Sequence, residues 1–478
     1  MEALDLKKVE GGLEEKNGGK KKKKFIDFEN IHPYVVILSV VIAVYVLCVI
    51  LPSGTFDRVA NADGDMIVVA GTYHAIAKDM PSIFDLFLNI QLGYVDTASI
   101  TFFIIFAYGF VYMLTVNGTM NVVLGNLAAK LGNKTHLFIP ISMVAFGILG
   151  STAGLYEEVY GLIPVFIGAA IALGYDAVVG GAIVFVGVAT GFAAALTNPF
   201  TIGIAQGVAK VPLFSGMNFR IFAFVVFEVA VISYVSHYAK KVKNDPTKSV
   251  LYGATTSITS NIELKAEPMT ITHKLSLLAM VFTFSMTLYS TLKMGWYIDE
   301  LAALFFMMFI VTGLISKYSL GKIMDIFIEA AKEILFGVMT IGFIRGAVIT
   351  MENSAVLDTV IYYLSFFLVG SSRYVTSLGM LFSQNVINLF ITGGPSQAMA
   401  TMPIMAPIAD LAGMDRQIAV LAFQFGDGFS NMFWPTGVAI ECGIMGIPMA
   451  RWYKFMAPLF GIMLVLQVVL IIIATAIV

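Results

Sequence analysis

The chain has 478 residues, of which 58% are hydrophobic and 13% are charged, and its formal net charge is −2. Soluble domains carry about 25% charged residues, so this composition excludes an ordinary soluble protein. The small net charge gives no basic field that would attract a nucleic-acid partner. Apolar runs of about 17–25 residues recur along the chain, each long enough to cross a bilayer as a helix. The sequence therefore predicts an all-α polytopic membrane protein that contacts the lipid bilayer.

The segment before the first apolar run is polar and basic. It contains the five-lysine run Lys20–Lys24, and no small-residue cleavage site follows the apolar run. A cleaved secretory signal peptide is therefore not expected. Lysine-rich flanks favour the cytoplasmic side of a membrane. We predict that residues 1–30 form a disordered cytoplasmic tail and that the N-terminus of this multi-pass protein is cytoplasmic.

The first half contains full-length apolar runs separated by polar segments. The stretch 53–96 is polar and poor in lysine and arginine, which favours the outer side of the membrane. An interfacial helix is predicted at 118–133. Full membrane spans are predicted at 34–52, 97–116 and 219–239.

Two irregular features interrupt this half. Residues 136–173 form two arms too short to span the bilayer comfortably, joined by a tip rich in Gly, Ser and Thr at 150–154. This pattern predicts a re-entrant hairpin. The run 178–208 is interrupted before Pro199, which removes a backbone donor and clashes with the preceding turn. We therefore predict a broken transmembrane helix at 178–208.

The polar stretch 240–273 begins with lysines and is predicted to be a cytoplasmic linker between two halves. A second interfacial helix is predicted at 357–372. Further spans are predicted at 274–293, 298–316, 335–351 and 455–477, which brings the expected total to about nine.

The second half repeats the irregular features of the first. A second hairpin is predicted at 375–411, with its tip at 392–395, and a second broken helix at 417–445, interrupted at Pro435. An offset of 239 or 236 residues relates six pairs: Gly154–Gly393, Pro164–Pro403, Gly174–Gly413, Asp176–Asp415, Pro199–Pro435 and Pro212–Pro448. We predict two repeats, 31–239 and 274–478, whose lysine signals orient them oppositely. Inverted repeats with broken helices are typical of secondary transporters.

The tips and breaks leave backbone N–H and C=O groups without helical partners in the membrane. Hydroxyl and amide side chains accompany them, and such weakly charged sites can bind a carboxylate, an ammonium group or a small cation. A coupling ion, sodium or a proton, is expected near Thr152, Asn198 and Asn431. No cofactor other than this ion is expected. The predicted substrate-binding residues at these places are Ser151, Thr152, Gly154, Thr197, Asn198, Thr392, Gly393, Gly394, Ser430, Asn431 and Thr436.

Acidic residues complete the predicted substrate site. Glu157 and Glu158 follow the first tip, so they would attract cations, whereas their partners in the second repeat are neutral and would leave a helix N-terminus that attracts anions. Asp427 lies within an apolar run, where a charge costs at least about 2.5–3.5 kcal/mol, and it is predicted to bind a substrate amine, a proton or a cation. Arg345 either pairs with Glu352 or faces the cavity, where it would favour an anion.

Several motifs resemble those of YfcC-type transporters. They are Thr-Asn-Pro-Phe-Thr-Ile-Gly-Ile-Ala-Gln-Gly at 197–207, Pro-Leu-Phe-Ser-Gly at 212–216, Phe-Gln-Phe-Gly-Asp-Gly-Phe-Ser-Asn at 423–431 and Gly-Thr-Tyr-His at 71–74. This group belongs to the ion transporter superfamily, beside anaerobic C4-dicarboxylate carriers and some arginine/ornithine antiporters. The resemblance implies a fixed scaffold and a moving transport domain, an elevator mechanism and a homodimer. Trp434 departs from the expected pattern at the second break.

The residues favour a transporter of a small-molecule substrate in a bacterial cytoplasmic (inner) membrane. The leading hypothesis is transport of a basic amino acid, arginine, ornithine or lysine, by exchange or cation coupling. The alternative is a cation-coupled carrier of a C4-dicarboxylate or another organic anion. An intramembrane hydrolase is disfavoured: it would need a paired Asp–Asp or a Ser–His arrangement, and all five histidines lie at segment ends or in loops. A channel is the other disfavoured alternative, and single-channel currents in a bilayer would reveal it. The chain is therefore predicted not to be an enzyme.

Overall fold

A computed structural model describes residues 33–60, 66–254, 266–366 and 368–477. The predicted N-terminal tail, 1–30, and the central part of the predicted linker, 255–265, lie outside the described residues. The first half, up to residue 244, is almost entirely helical. Its α-helices are α1 Pro33–Ile50, α2 Ile83–Asp96, α3 Ala98–Val116, α4 Thr119–Leu131, α5 Phe138–Ala153, α6 Ile163–Ala172, α7 Ala177–Ala194, α8 Ile204–Ala209 and α9 Met217–Asn244.

The second half has the same helical character. Its α-helices are α10 Ile271–Met294, α11 Ile298–Ile315, α12 Leu320–Asn353, α13 Leu357–Phe366, α14 Arg373–Ile387, α15 Gly394–Leu411, α16 Arg416–Ser430, α17 Pro435–Met445 and α18 Met449–Ile477. Shorter turns of tighter or wider helix connect them. Within the described residues these are the 3-10 turns Gly132–Leu137, Glu157–Leu162 and Pro246–Lys248 and the π-helical turn Pro199–Gly203.

Four short strands fold the loop after α1, which an all-α prediction does not include. Strand β1 (Gly54–Thr55) pairs antiparallel with β4 (His74–Ala75), and β2 (Arg58–Ala60) pairs antiparallel with β3 (Met66–Val68). The loop rests on α13, where the Tyr73 ring stacks on Tyr362 with centroids 4.0 Å apart. The strands therefore form a small cap on the membrane-embedded helices.

Eight helices within the described ranges are long and apolar enough to cross a membrane, against a prediction of about nine full spans. Helix α1 is apolar but shorter, at Tyr34–Ile50. The eight are Ala98–Val116, Lys134–Ala153, Ala177–Ala209, Met217–Asn244, Ile271–Thr291, Ile298–Ile315, Leu320–Asn353 and Met449–Ile477. The protein is thus a mostly helical, multi-pass membrane protein.

Helix α2 corrects the prediction that all of 53–96 is a polar outer segment. Ser82 and Asp85 begin the helix as a capping box, in which the Asp85 carboxylate accepts the Ser82 N–H at 2.7 Å. Leu86, Asn89 and Gly93 are buried at helical spacing. That face packs on α12, where Gly93 lies against Gly342. The Ser-x-x-Asp motif therefore indicates the start of a helix within a stretch that was predicted to be a polar outer segment.

Two other helices are longer than predicted. Helix α12 begins at Leu320, whereas the predicted span covers only 335–351. Its 34 residues extend about 51 Å, well beyond a bilayer core of roughly 30 Å. Helix α9 continues to Asn244, into the segment predicted to be the linker. Amphipathic ends prolong both helices beyond their apolar stretches.

The two broken helices form the centre of the protein. Every residue of α7 is buried, and α16 is buried throughout Ile418–Ser430. Glycine permits this packing, because a Cβ atom at Gly191 would collide with the backbone of Gly147 on α5, and one at Gly428 would collide with Ala193 on α7. The breaks that follow α7 and α16 are consequently held in the interior.

Residues that the predicted repeat pairs with each other play similar local roles at the starts of these central helices. The Asp176 carboxylate accepts the Val179 N–H at 3.0 Å and begins α7. The Asp415 carboxylate accepts the Gln417 N–H at 2.7 Å and begins α16. The glycines two residues before them, Gly174 and Gly413, both have positive φ, at 85° and 67°. Helix capping and a left-handed turn explain why these residue types recur.

Candidate functional site

The first tip is the turn that follows α5. Helix α5 ends at Gly154, whose φ of 72° suits glycine and whose Cα lies against the side chain of Asn198. Glu157 and Glu158 then begin a 3-10 turn that leads into α6. One Glu158 carboxylate oxygen, Oε2, accepts the Tyr156 N–H at 2.8 Å. This bond fixes the turn and orients the two acidic side chains.

The first break, between α7 and α8, docks directly on the first tip. The Thr197 N–H donates to the Ser151 carbonyl at 3.0 Å, and the Thr197 hydroxyl donates to the Thr152 carbonyl at 3.0 Å. The Asn198 Oδ1 accepts the N–H of Phe200 at 2.9 Å and so caps the turn after the break. The structure thus brings four predicted residues together, but their groups serve the backbone rather than line a cavity.

A buried arginine secures the other side of this break. Arg220 on α9 is 2% exposed, and its guanidinium donates to the carbonyls of Ala195 at 2.8 Å and Leu196 at 3.2 Å. It also donates to the Ser215 carbonyl at 2.6 Å. A cation at the C-terminal end of α7 complements the helix dipole and satisfies carbonyls that the break leaves open. The sequence analysis did not single out Arg220.

The second tip lies between α14 and α15. Thr392 and Gly393 form the turn, and α15 begins at Gly394 with Pro395 in its first turn. No side chain caps this helix, so its first N–H groups face the tip without a helical partner. The tip carries no charged residue. It offers backbone donors to an anionic group, unlike the acidic first tip.

Asp427 lies behind the second tip rather than in the cavity. Its Oδ1 accepts the Asn388 side-chain amide at 2.7 Å, and a Cβ atom built on Gly394 would lie 3.1 Å from its Oδ2. Asp427 is 0% exposed, and its Oδ2 has no hydrogen-bond partner in the described part of the chain. The Thr201 hydroxyl is also buried without a partner, and its side chain contacts Gly394. Asp427 therefore links the second tip to the first break.

The second break follows α16. The Ser430 hydroxyl donates to the Gly426 carbonyl at 2.6 Å, so it serves its own helix. Asn431 and Thr436 lie on either side of the break and line the cavity. Trp434, which departs from the family pattern, donates its ring N–H to the Asn385 carbonyl at 2.7 Å and joins the break to α14.

A cavity of about 780 Å³ extends from the two tips to the loop after α1. Ser151, Thr152, Thr197, Asn198, Asp427 and Ser430 do not line it, because each bonds to backbone or to a neighbouring side chain. Six of the fourteen predicted substrate-binding positions therefore lie outside the lining of this cavity. The predicted residues that do line the cavity are Gly154, Glu157, Glu158, Thr392, Gly393, Gly394, Asn431 and Thr436.

The cavity is lined by more carboxyl groups than basic groups. Arg345 is bound by Asp96 and, at 3.0 Å, by Glu352, while Arg58 pairs with Asp358 at 2.7 Å. Arg345 therefore both pairs with Glu352 and lines the cavity. Two arginines face six carboxyl groups there, namely Asp96, Glu157, Glu158, Glu352, Asp358 and Glu441.

Several lining residues escaped the sequence analysis. Glu441 lines the cavity from the apolar run of α17. A carboxylate there is as costly to place in the membrane as that of Asp427, so an acidic residue within an apolar run was the signal that could have identified it. Aromatic rings also line the cavity: Tyr156, Tyr160, Phe192, Phe200 and Tyr297. Their role was hidden because aromatic residues are common throughout this apolar chain. Among the described residues, no group of three or more His, Cys, Asp or Glu side chains could hold a metal ion.

A known family matches nearly the whole sequence. The sequence pattern of the family described as "DcuC: C4-dicarboxylate anaerobic carrier" matches residues 31–476, nearly the whole chain. The chain belongs to this DcuC family. The resemblance to YfcC-type transporters is thereby confirmed, and this DcuC-family protein is a membrane transporter of small molecules rather than an enzyme.

Two curated relatives align over most of the DcuC-family chain. One, from Escherichia coli (strain K12), is named "Putative basic amino acid antiporter YfcC"; it is 29% identical over 385 residues, 76% of this chain and 76% of the relative. The other, an uncharacterized protein from Haemophilus influenzae, is 29% identical over 414 residues, 85% of this chain and 81% of the relative. The words "basic amino acid antiporter" describe the Escherichia coli relative.

Two solved transporters also align with the DcuC-family chain. MtrF of Neisseria gonorrhoeae, described as illuminating a class of antimetabolite efflux pumps, gives a TM-score of 0.45 at 18% identity, with 94% of this chain and 96% of that one covered. The YdaH transporter of Alcanivorax borkumensis gives 0.44 at 15% identity, with 92% and 98% covered.

Proposed function

We propose that this protein is a secondary active transporter that moves a basic amino acid, arginine, ornithine or lysine, across the bacterial cytoplasmic membrane by exchange or cation coupling. The observation that carries the proposal is the acidity of the cavity, in which six carboxyl groups face two arginines that are already paired. Such a cavity attracts a cationic solute and repels an anionic one. The name of the Escherichia coli relative agrees with this choice.

The contrast between the two tips supports an amino acid rather than a simple cation. Glu157 and Glu158 give the first tip negative charge, which suits the α-ammonium group. Unpartnered N–H groups at the start of α15 give the second tip, around Gly394, a partial positive charge that suits the α-carboxylate. A zwitterion bound between the tips would thus meet complementary charge at both ends.

We infer that the coupling ion, sodium or a proton, binds behind the second tip. The predicted oxygens near Thr152, Asn198 and Asn431 are a weaker choice, because Thr152 and Asn198 are engaged with backbone. Asp427 Oδ2 and the hydroxyl of Thr201 are buried and unpartnered within the described residues. Hard cations prefer such oxygen ligands, and an uncompensated carboxylate at membrane depth requires a proton or a cation.

The remaining architectural expectations complete the proposal. Two inverted repeats, each with a hairpin and a broken helix, would form a moving transport domain against a fixed scaffold in an elevator-type cycle. The central position of α7 and α16, surrounded by other helices, supports a compact moving unit. We further propose a homodimer with a cytoplasmic N-terminus.

Purified protein in liposomes loaded with unlabelled arginine should take up labelled arginine in a saturable manner. Ornithine and lysine should compete, because both present an ammonium group to the acidic cavity, whereas succinate should not. Protein-free liposomes provide the control for leakage. Absence of arginine uptake, together with robust succinate uptake by the same preparation, would refute the proposal.

A C4-dicarboxylate carrier is the second candidate, favoured by the description of the matching family and by Arg345 on the cavity wall. The two candidates differ in the variant that stops transport. If the substrate is basic, Arg345→Gln should lower arginine uptake no more than about threefold, because Arg345 is held by Asp96 and Glu352. Loss of transport in Arg345→Gln, with Glu157→Gln fully active, would instead support the dicarboxylate carrier.

A further inference from the structure

The floor of the cavity contains a carboxyl group that the sequence analysis missed. Glu441 of α17 is 0% exposed, and its Oε1 accepts the Tyr160 hydroxyl at 2.8 Å. Its other oxygen, Oε2, has no hydrogen-bond partner in the described part of the chain. The Tyr156 hydroxyl is likewise buried and unpartnered. Both residues with an unsatisfied polar group line the cavity.

Glu441 has no counter-charge among the described residues. It forms no ion pair with a lysine or arginine of the described ranges, and the two arginines of the cavity are engaged by Asp96, Glu352 and Asp358. Glu157 lines the same cavity and adds like charge. Burial of a carboxylate without a counter-charge is costly, so this arrangement is stable only if a bound cation or a proton supplies the positive charge.

Tyr160, which donates to this carboxyl group, belongs to a cluster of aromatic rings. Tyr156 lies 5.1 Å from Phe192 and 6.0 Å from Tyr160 between ring centroids. All three rings line the cavity. Aromatic faces attract ammonium and guanidinium groups, most strongly where water is excluded. A carboxylate flanked by rings is thus suited to an organic cation with a flat or compact head.

We propose that Glu441, Tyr156 and Tyr160 form the subsite for the distal cationic group of the substrate, the guanidinium of arginine or the side-chain ammonium of ornithine and lysine. This inference rests on the proposed function and deepens it. Glu157, Glu158 and the second tip would hold the α-amino acid group, and Glu441 would read the charge at the far end. A neutral side chain of the same shape would leave Glu441 uncompensated, and the protein would reject it.

The test compares arginine with citrulline, a near-isosteric amino acid whose side chain is neutral. In proteoliposomes the wild type should prefer arginine. Glu441→Gln should raise the apparent KM for arginine about 10- to 100-fold and leave that for citrulline unchanged or lower, because one charged hydrogen bond is lost. Tyr160→Phe should weaken arginine transport less, since the charge remains. Glu228→Gln is the matched control, because Glu228 is also a buried glutamate without a partner, but it does not line the cavity.

The outcomes separate this inference from the proposed function. Arginine transport by the wild type, combined with an unchanged arginine-to-citrulline ratio in Glu441→Gln, would overturn the subsite alone. Failure of the wild type to transport any basic amino acid would overturn both. If Glu441→Gln does not fold, Glu441→Asp replaces it: a retained but displaced charge should lower the preference for arginine without abolishing it, and an unaltered ratio would again reject the subsite.

Discussion

Replacement of both Glu157 and Glu158 by glutamine is expected to lower arginine transport at limiting substrate by about 100-fold. Both residues line the cavity at the first tip, where they would bind the α-ammonium group. A hydrogen bond to a charged group contributes about 1.5–3 kcal/mol, and each 1.4 kcal/mol is a tenfold change in affinity. Initial uptake rates in proteoliposomes across a range of arginine concentrations measure the effect.

Glu158 has a structural role in addition to lining the cavity. Glu158 also accepts the Tyr156 N–H at 2.8 Å, and a glutamine oxygen can still accept that bond, so the turn should remain folded. Glu329→Gln, an exposed position on α12 outside the cavity, serves as the control and should transport normally. Arginine uptake at the wild-type rate by the double variant would contradict the assignment of the first tip to the ammonium group.

Asp427→Asn is expected to abolish the dependence of uptake on the coupling cation and to reduce transport at least about tenfold. The substitution removes the charge but preserves shape, and the new amide oxygen can still accept the bond from Asn388. What is lost is the anionic oxygen that faces Gly394 and Thr201 behind the second tip. Uptake measured while sodium and pH are varied separately will reveal which ion the wild type uses.

The appropriate control is Asp325→Asn, because Asp325 is exposed on α12 and does not line the cavity. Its cation dependence should match that of the wild type. If Asp427→Asn retained the wild-type dependence on both sodium and pH, the coupling ion would have to bind elsewhere. The oxygens around the first break would then be the next candidates.

Local chemistry explains why the tips and breaks could be located in the sequence. Proline and glycine act within their own turn: Pro199 and Pro435 lie in the first turns that follow the two breaks, and Gly154 has the positive φ that ends α5. Neither effect depends on distant residues. The Ser82–Asp85 capping box is equally local, and it was missed because residues 83–96 were grouped with the polar stretch that precedes them.

The direction in which each polar side chain points could not be predicted from the local sequence. Asp427 and Glu441 are both acids in apolar runs, yet Asp427 turns toward Asn388 whereas Glu441 faces the cavity. The choice depends on which helix packs against each face. Likewise, Thr197 and Asn198 look like ligands in the sequence but bind the backbone of the first tip and the break.

The membrane class, most helix positions and the four interruptions could be predicted, because composition and the conformational limits of proline and glycine act over short distances. Which polar groups meet depends instead on the packing of distant helices. Contacts such as that of Tyr160 with Glu441 join residues 281 positions apart, and no local pattern encodes them. The acidity of the cavity therefore emerged only when the helices were packed together.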